Sequence, residues 1–276
     1  MAAKTTRRSW IIGYLGAAAL SAAVAGGALA QAPEQSVPDL AGFWNHSVAA
    51  IDFEAPPAGG PGPVRNTTPI VGRNPIWVGN YENPILLPWT AAEVKRFGEL
   101  EQEGRGPPTA QMLCMPSGVP NAHTLMGSVQ ILQAPDLVLI VHQRDHQVRR
   151  VYMNVPHRED PAPSWYGDSV GHYEGDTLVI DTIGLNDRTV TDRNGTPHTE
   201  TMHVVERYRI ADGGRAMEVQ FTVEDPNAFT TPWSAMVRYQ RNARQQVLEE
   251  EICAEYNFDV VTKEMFPIPV AETPDF

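Results

Sequence analysis

Asp168-Ser169-Val170-Gly171-His172-Tyr173-Glu174-Gly175-Asp176-Thr177-Leu178-Val179-Ile180-Asp181-Thr182-Ile183 reads as two strands around a tight turn. The arms Asp168–Tyr173 and Thr177–Ile183 are rich in β-branched and aromatic residues. Glu174-Gly175-Asp176 supplies the glycine that a short hairpin turn needs. The same grammar recurs downstream. Thr201–Ile210 and Ala216–Val223 flank Asp212-Gly213-Gly214, and Ser234–Arg241 and Gln246–Tyr256 flank Asn242-Ala243-Arg244. Upstream, Val129–Gln133, Leu137–Gln143 and Gln147–Met153 follow one another at short spacing. Few helix signals intervene, and there is no β-α alternation. The chain is therefore mainly β, an antiparallel meander that closes into a barrel or packs as a sandwich.

Period-two alternation assigns faces to these strands. Met217, Val219, Phe221 and Val223 share one face. Met202, Val204, Tyr208 and Ile210 share another, with Glu206 in the middle of it. By the same reading Arg150 lies with Val148 and Tyr152, Asp181 with Val179 and Ile183, and Glu250 with Leu248 and Ile252. A lone buried charge costs several kcal/mol, so such groups pair or line a wet cavity. Either a polar ligand cavity or structural Arg–carboxylate pairs would account for them.

The N-terminal part sets the address. Thr6-Arg7-Arg8-Ser9-Trp10-Ile11-Ile12, an Ala/Gly-rich apolar run to Ala28 and the small-x-small Ala28-Leu29-Ala30 read as an export signal over residues 1–30. The paired arginines resemble a twin-arginine signal; an ordinary secretory signal is the alternative. A permanent anchor fits less well, because Gly, Ser and Tyr interrupt the run. The expected location is periplasmic or secreted.

Residues 31–276 then form one domain. It contains an irregular Pro/Gly-rich segment over residues 55–88 and a short helix over about residues 91–103. Thr90 and Glu93 provide a capping box for that helix, and Ala91, Val94, Phe97 and Leu100 its apolar stripe. The whole chain carries a net charge of −12, and the signal contains only the cations Lys4, Arg7 and Arg8. The mature protein is thus more acidic still, which disfavours nucleic acid and anionic membrane surfaces as partners. In an exported chain the only two cysteines, Cys114 and Cys253, suggest a disulfide, with two buried thiols as the alternative.

Three polar loops sit at strand ends: His157-Arg158-Glu159-Asp160, Asn186-Asp187-Arg188 and Pro197-His198-Thr199-Glu200. A histidine oriented by a carboxylate is the usual apparatus of acid–base catalysis near neutral pH. His198 with Glu200 or Asp187 fits that role, and His157 and Glu206 complete the candidate catalytic set. Asn186 and Arg150 could stabilise developing negative charge, and Trp165 and Trp233 could stack on an aromatic ligand. Asn, Asp and Thr are also ordinary turn formers, so a purely structural role competes at each position. No metal motif, serine elbow or phosphate-cradling loop is evident, so no metal and no cofactor is expected.

Four segments together resemble a widespread, mostly uncharacterised family of exported bacterial proteins. They are Asp39-Leu40-x-Gly42-x-Trp44, Cys114-x-Pro116-x-Gly118-Val119-Pro120, Gly171-x-Tyr173-Glu174-Gly175-Asp176-Thr177-Leu178-Val179 and Pro197-His198-x-Glu200. The similarity continues through Glu206-Arg207-Tyr208, Asp225-Pro226 and Pro232-Trp233 to Cys253. It implies a single lipocalin-like β-barrel, with the indole of Gly42-x-Trp44 closing one end. His157, Asn186, Asp187, His198 and Glu200 fall where that family carries those residue types. Asn121-Ala122-His123 stands where the family has a basic residue after Val-Pro, which would alter substrate choice if the position touches ligand. The resemblance implies no reaction.

The functional expectation is a cofactor-independent acid–base enzyme, of lyase, hydratase or isomerase type, acting on a small apolar or aromatic molecule in a barrel cavity. The alternative is a non-catalytic lipocalin-like binding protein. A structural envelope module is the third reading. Convergence of His157, Asp187, His198 and Glu200 at a cavity mouth would favour the enzyme, scattered positions or a filled barrel interior would favour the structural module, and an apolar cavity without a convergent acid–base pair would favour the binding protein.

Overall fold

The computed structural model describes residues 37–46, 52–68, 76–105 and 109–253. The expected signal over residues 1–30 lies outside them. Nine strands among the described residues form a closed barrel: β1 (Gly42–His46), β2 (Ser128–Gln133), β3 (Leu137–His142), β4 (Val148–Met153), β5 (Asp168–Glu174), β6 (Thr177–Ile183), β7 (His203–Ala211), β8 (Ala216–Glu224) and β9 (Trp233–Arg241). The protein is mainly β, with a lipocalin-like barrel and one α-helix among the described residues. Each strand pairs with its sequence neighbour, and β9 returns to β1 through Trp44↔Arg241, Asn45↔Gln240 and His46↔Tyr239.

That closure corrects one expectation. Gln246–Tyr256 does not form a strand after β9 over its described part, because β1 already occupies that edge. Glu250 is therefore on no strand face.

A second departure matters more. The β4–β5 pair is parallel, in register Val151↔Ser169, Tyr152↔Val170 and Met153↔Gly171. A tight turn cannot make a parallel pair. Residues 154–167 carry the chain back along the wall before β5 begins. The first half of β4, from Val148 to Arg150, consequently has no ladder partner on β5.

Alternation fills the interior. Leu178 and Ile180, Val204 and Tyr208, Met217, Val219, Phe221 and Val223, and Ala235, Val237 and Tyr239 all point inward and are buried. Trp44 is fully buried, donates from Nε1 to the Leu40 carbonyl at 2.8 Å, and lies under the Arg241 guanidinium at 4.3 Å. The indole thus closes one end of the barrel.

Helix α1 (Pro88–Gln102) starts earlier than the capping box implies. Pro88 has its φ preset for the first helical turn, so Leu87 becomes the cap and Thr90 lies inside the helix. The Thr90 hydroxyl instead donates to the carbonyls of Leu87 and Ala228. The helix packs Phe97 against Gly195, where φ is +74° and an added Cβ would lie 2.1 Å from the ring. A side chain at Gly195 would displace the helix.

Cys114 and Cys253 are joined, with a sequence separation of 139. The bond ties the segment entering the barrel mouth to the tail that follows β9. Constraining so long a loop in the unfolded chain is worth up to about 5 kcal/mol. Cys114→Ala with Cys253→Ala should lower unfolding stability by roughly 2–5 kcal/mol in urea titrations. An unchanged midpoint would mean that this tie contributes nothing to the folded state.

Candidate functional site

The barrel interior holds a charged centre. Arg149 projects inward from β4, passes beneath β5 and β6, and reaches Glu206 on β7. On the way its Nε donates to Ser169 Oγ at 3.2 Å and its Nη2 to Thr182 Oγ1 at 2.8 Å. The guanidinium then grips both oxygens of Glu206, one of them at 2.9 Å. His123 comes from a 3₁₀ turn (Asn121–Thr124) and donates from Nε2 to Glu206 Oε1 at 2.7 Å. Its Nδ1 meets the Tyr239 hydroxyl at 2.8 Å, while the Tyr208 hydroxyl donates to Glu206 at 3.0 Å.

Burial opposes ionisation of Glu206, but the Arg149 charge and the bonds from His123 and Arg149 outweigh it. They hold the carboxyl well below its usual range. Burial likewise acts against the Arg149 charge and is overcome by Glu206. The Tyr208 and Tyr239 phenols are driven upward, first by burial and then by the Glu206 charge. Glu206 is therefore an ionised group with its acceptor sites occupied.

His142, at the end of β3, lies against this centre and is 4% exposed. Its Nδ1 is buried without a hydrogen-bond partner. Burial, with His123 and Arg149 beside it, pushes its pKa down to about 3, so the ring is neutral. His142, His123, Arg149, Tyr208 and Tyr239 share a cavity of only about 10 Å³, room for a single water molecule.

A large concavity lies on the wall. A cleft of about 580 Å³ opens where β4 and β5 splay apart. One side carries Gln147, Val148, Arg150 and Tyr152, and the other carries Trp165, Tyr166 and Ser169. Tyr166 fills the gap in the ladder. Its hydroxyl donates to Gln147 Oε1 at 2.6 Å, and its ring stacks on His142 with centroids 6.3 Å apart and planes 10° apart. Burial raises the Tyr166 phenol above its ordinary value. Gly167 follows at φ +61°, and an added Cβ would lie 2.3 Å from the Ile183 carbonyl oxygen. This close approach holds Tyr166 against the wall.

The sequence candidates scatter around this geometry. Arg150 and Trp165 meet at the cleft, although Arg150 faces outward and Arg149 inward. Asp181 also faces outward, so the inward assignments for β4 and β6 are reversed. There Asp181 Oδ1 accepts from His157 Nε2 at 3.0 Å and His203 Nε2 at 2.7 Å. His157 Nδ1 meets Asp168 at 3.0 Å, which fastens the crossover loop to the wall. His198 is buried and bonds the Thr189 hydroxyl and the Thr199 carbonyl, not Glu200 or Asp187, both of which are exposed. Burial lowers the His198 pKa against the pull of the Thr199 carbonyl. Asn186 makes a turn, accepting from the Arg188 backbone N–H at 3.1 Å. Trp233 is 1% exposed and packs edge-on to Phe221 and Phe229, so it is core rather than a ligand contact. Only Glu206 of the proposed catalytic set lies in the interior centre.

Among the described residues no cluster of three His, Cys, Asp or Glu side chains is placed to hold a metal ion, and no helix is long and apolar enough to cross a membrane. Comparison with protein-family models finds no match, and comparison with curated proteins finds none either.

Two outcomes follow from the burial. Arg149→Met leaves the Glu206 carboxylate uncompensated and should cost about 3–5 kcal/mol, much of it recovered when Glu206→Leu is added. Equal losses in the single and double variants would contradict a tightly coupled pair. For His142, the ring is neutral in both states above its ordinary pKa of 6.5. Between that value and about 3 the unfolded chain binds a proton that the folded chain refuses. Acidification through this window should therefore destabilise the wild type by about 1.4 kcal/mol per pH unit relative to His142→Phe. Parallel stability–pH curves for the two proteins would exclude neutral burial.

Proposed function

We propose that this protein is a binding protein for small aromatic anions, taken up in the wall cleft between β4 and the loop before β5. One observation carries the reading. The barrel interior is packed around a satisfied ion pair, whereas the cleft is large, aromatic-lined and flanked by arginines. Its volume of about 580 Å³ falls in the range of small-molecule sites.

Trp165 and the exposed Tyr152 offer flat apolar surface, and Val155 and Pro156 extend it. Arg188 lies over the Trp165 ring at 4.8 Å and braces it. Arg158 is held by Asp168 at 2.7 Å. Arg150 is exposed on the cleft wall and forms no ion pair among the described residues. In a chain of net charge −12, that cation is available to a ligand carboxylate or sulfonate. The dispersal of His157, Asp187, His198 and Glu200 counts against the acid–base enzyme expected from them, and the wall cleft favours binding over a purely structural module.

1-Anilinonaphthalene-8-sulfonate combines an aromatic surface with one anionic group and serves as the probe. It should bind with saturable fluorescence. Trp165→Ala and Arg150→Ala should each weaken it by about tenfold, on the scale of a lost stacking contact or charge-assisted bond. Substitution of Glu200, outside the cleft, should leave binding unchanged. Unaltered affinity in both cleft variants would reject this site.

A further inference from the structure

The floor of the cleft is one side chain thick. Tyr166 faces the cleft on one side, and on the other its ring lies flat on His142, which lines the interior cavity. No backbone ladder closes the wall there, since β4 and β5 pair only from Val151↔Ser169 onward. The barrier is thus a phenol ring held by one hydrogen bond to Gln147, by stacking and by its packing against the core.

The slot behind this barrier has the chemistry of a ligand site. His142 is buried and neutral, and its Nδ1 has no partner in the protein. Gln147 Oε1 already accepts a phenolic O–H at 2.6 Å, and the His142 ring already accepts a parallel aromatic face. Tyr166 therefore displays the ring geometry that the slot takes.

We infer that the space filled by the Tyr166 ring is a subsite for a planar hydroxylated aromatic ring, with Gln147 as its hydrogen-bond acceptor and the His142 ring as its stacking face, and that a ligand enters it from the cleft by displacing Tyr166. This rests on the cleft being the binding site. It deepens that reading by naming the ligand class, an aromatic anion that also carries a hydroxyl. The Tyr166 side chain acts as an internal competitor. It keeps the interior ion pair dry until a better ring arrives. The charged centre behind, Arg149 with Glu206, keeps its bonds to Ser169, Thr182 and His123, because Ser169 meets Tyr166 only at its backbone carbonyl, which a rotation of the side chain leaves in place.

The test uses the full chain with p-hydroxybenzoate and benzoate as paired probes. Trp165 fluorescence reports the cleft. Nitrogen NMR of the histidine rings, with the His142 signal assigned by its loss in His142→Phe, reports the slot. Both signals should move with one midpoint for p-hydroxybenzoate, and benzoate should bind about tenfold more weakly for want of the hydroxyl. Tyr166→Ala removes the competing ring and should tighten p-hydroxybenzoate binding by about tenfold. Tyr166→Phe keeps the stacked ring, drops the bond to Gln147 and should tighten it to a smaller degree, which covers the case in which the alanine variant does not fold. Quenching of Trp165 with an unmoved His142 signal would overturn the subsite and leave the cleft standing. Binding weakened by Tyr166→Phe would overturn the competitor role. If neither signal responds while the naphthalene sulfonate still binds, the hydroxylated class is wrong although the cleft is real.

Discussion

A cation and an anion that meet in the middle of a β-barrel constrain everything around them. Arg149 and Glu206 sit on strands three apart, and each would be untenable alone in an apolar interior. The ring of polar groups around them follows from that demand. Ser169 takes the Arg149 Nε that Glu206 leaves free, Thr182 shares Nη2 with the carboxylate, and His123 and Tyr208 join Arg149 in donating to Glu206 Oε1. The 3₁₀ turn that delivers His123 becomes a plug, and the segment carrying it is anchored by the disulfide at Cys114. A barrel that could have enclosed a ligand is thereby committed to enclosing its own ion pair.

Commitment of the interior shifts recognition to the wall. The antiparallel pairs from β5 through β9 are long, six to nine residues each, and leave no gap. The β4–β5 pair is parallel and short, so the wall splays beside Val148 and Arg150 and a cleft forms. The crossover loop that makes the pair parallel also brings Trp165 and Tyr166 to the rim. It is fastened to the outside by His157 bridging Asp168 and Asp181. One topological feature thus accounts for the opening, its aromatic lining and the rigidity of its edge.

The strands were legible because period and turn chemistry agree over most of the chain. Glu206 was legible for the same reason, sitting between Val204 and Tyr208 on a well-patterned strand. Strand β4 was not. Val148, Val151, Tyr152 and Met153 make both of its faces look apolar, so parity alone cannot say which of Arg149 and Arg150 is inside. Strand β6 has the same ambiguity, since Leu178 and Ile180 alternate with Val179 and Asp181. His123 lies on a turn with no period to read, and its partners are strands far away in sequence. His198 looked catalytic from its neighbours Thr199 and Glu200, but loop carboxylates point where the local backbone sends them. In this loop Glu200 faces solvent while a threonine hydroxyl takes the imidazole.

The distinction between a wall closed by backbone and one closed by a side chain bears on how such a barrel could respond to a ligand. Opening a ladder breaks several cooperative hydrogen bonds and exposes strand edges, which costs too much for a small molecule to offset. Turning one phenol ring away from His142 loses one hydrogen bond, one stacking contact and the ring's packing against the core, and an incoming ring restores all three. The exchange is close to neutral, so modest differences in ligand chemistry decide it. The exchange also leaves the Arg149–Glu206 pair in place, because that pair is braced from β5, β6 and the 3₁₀ turn, and Tyr166 joins that brace only through its backbone carbonyl, which accepts from Ser169. The fold can therefore admit a ligand at its seam without reopening the desolvated centre on which its stability depends.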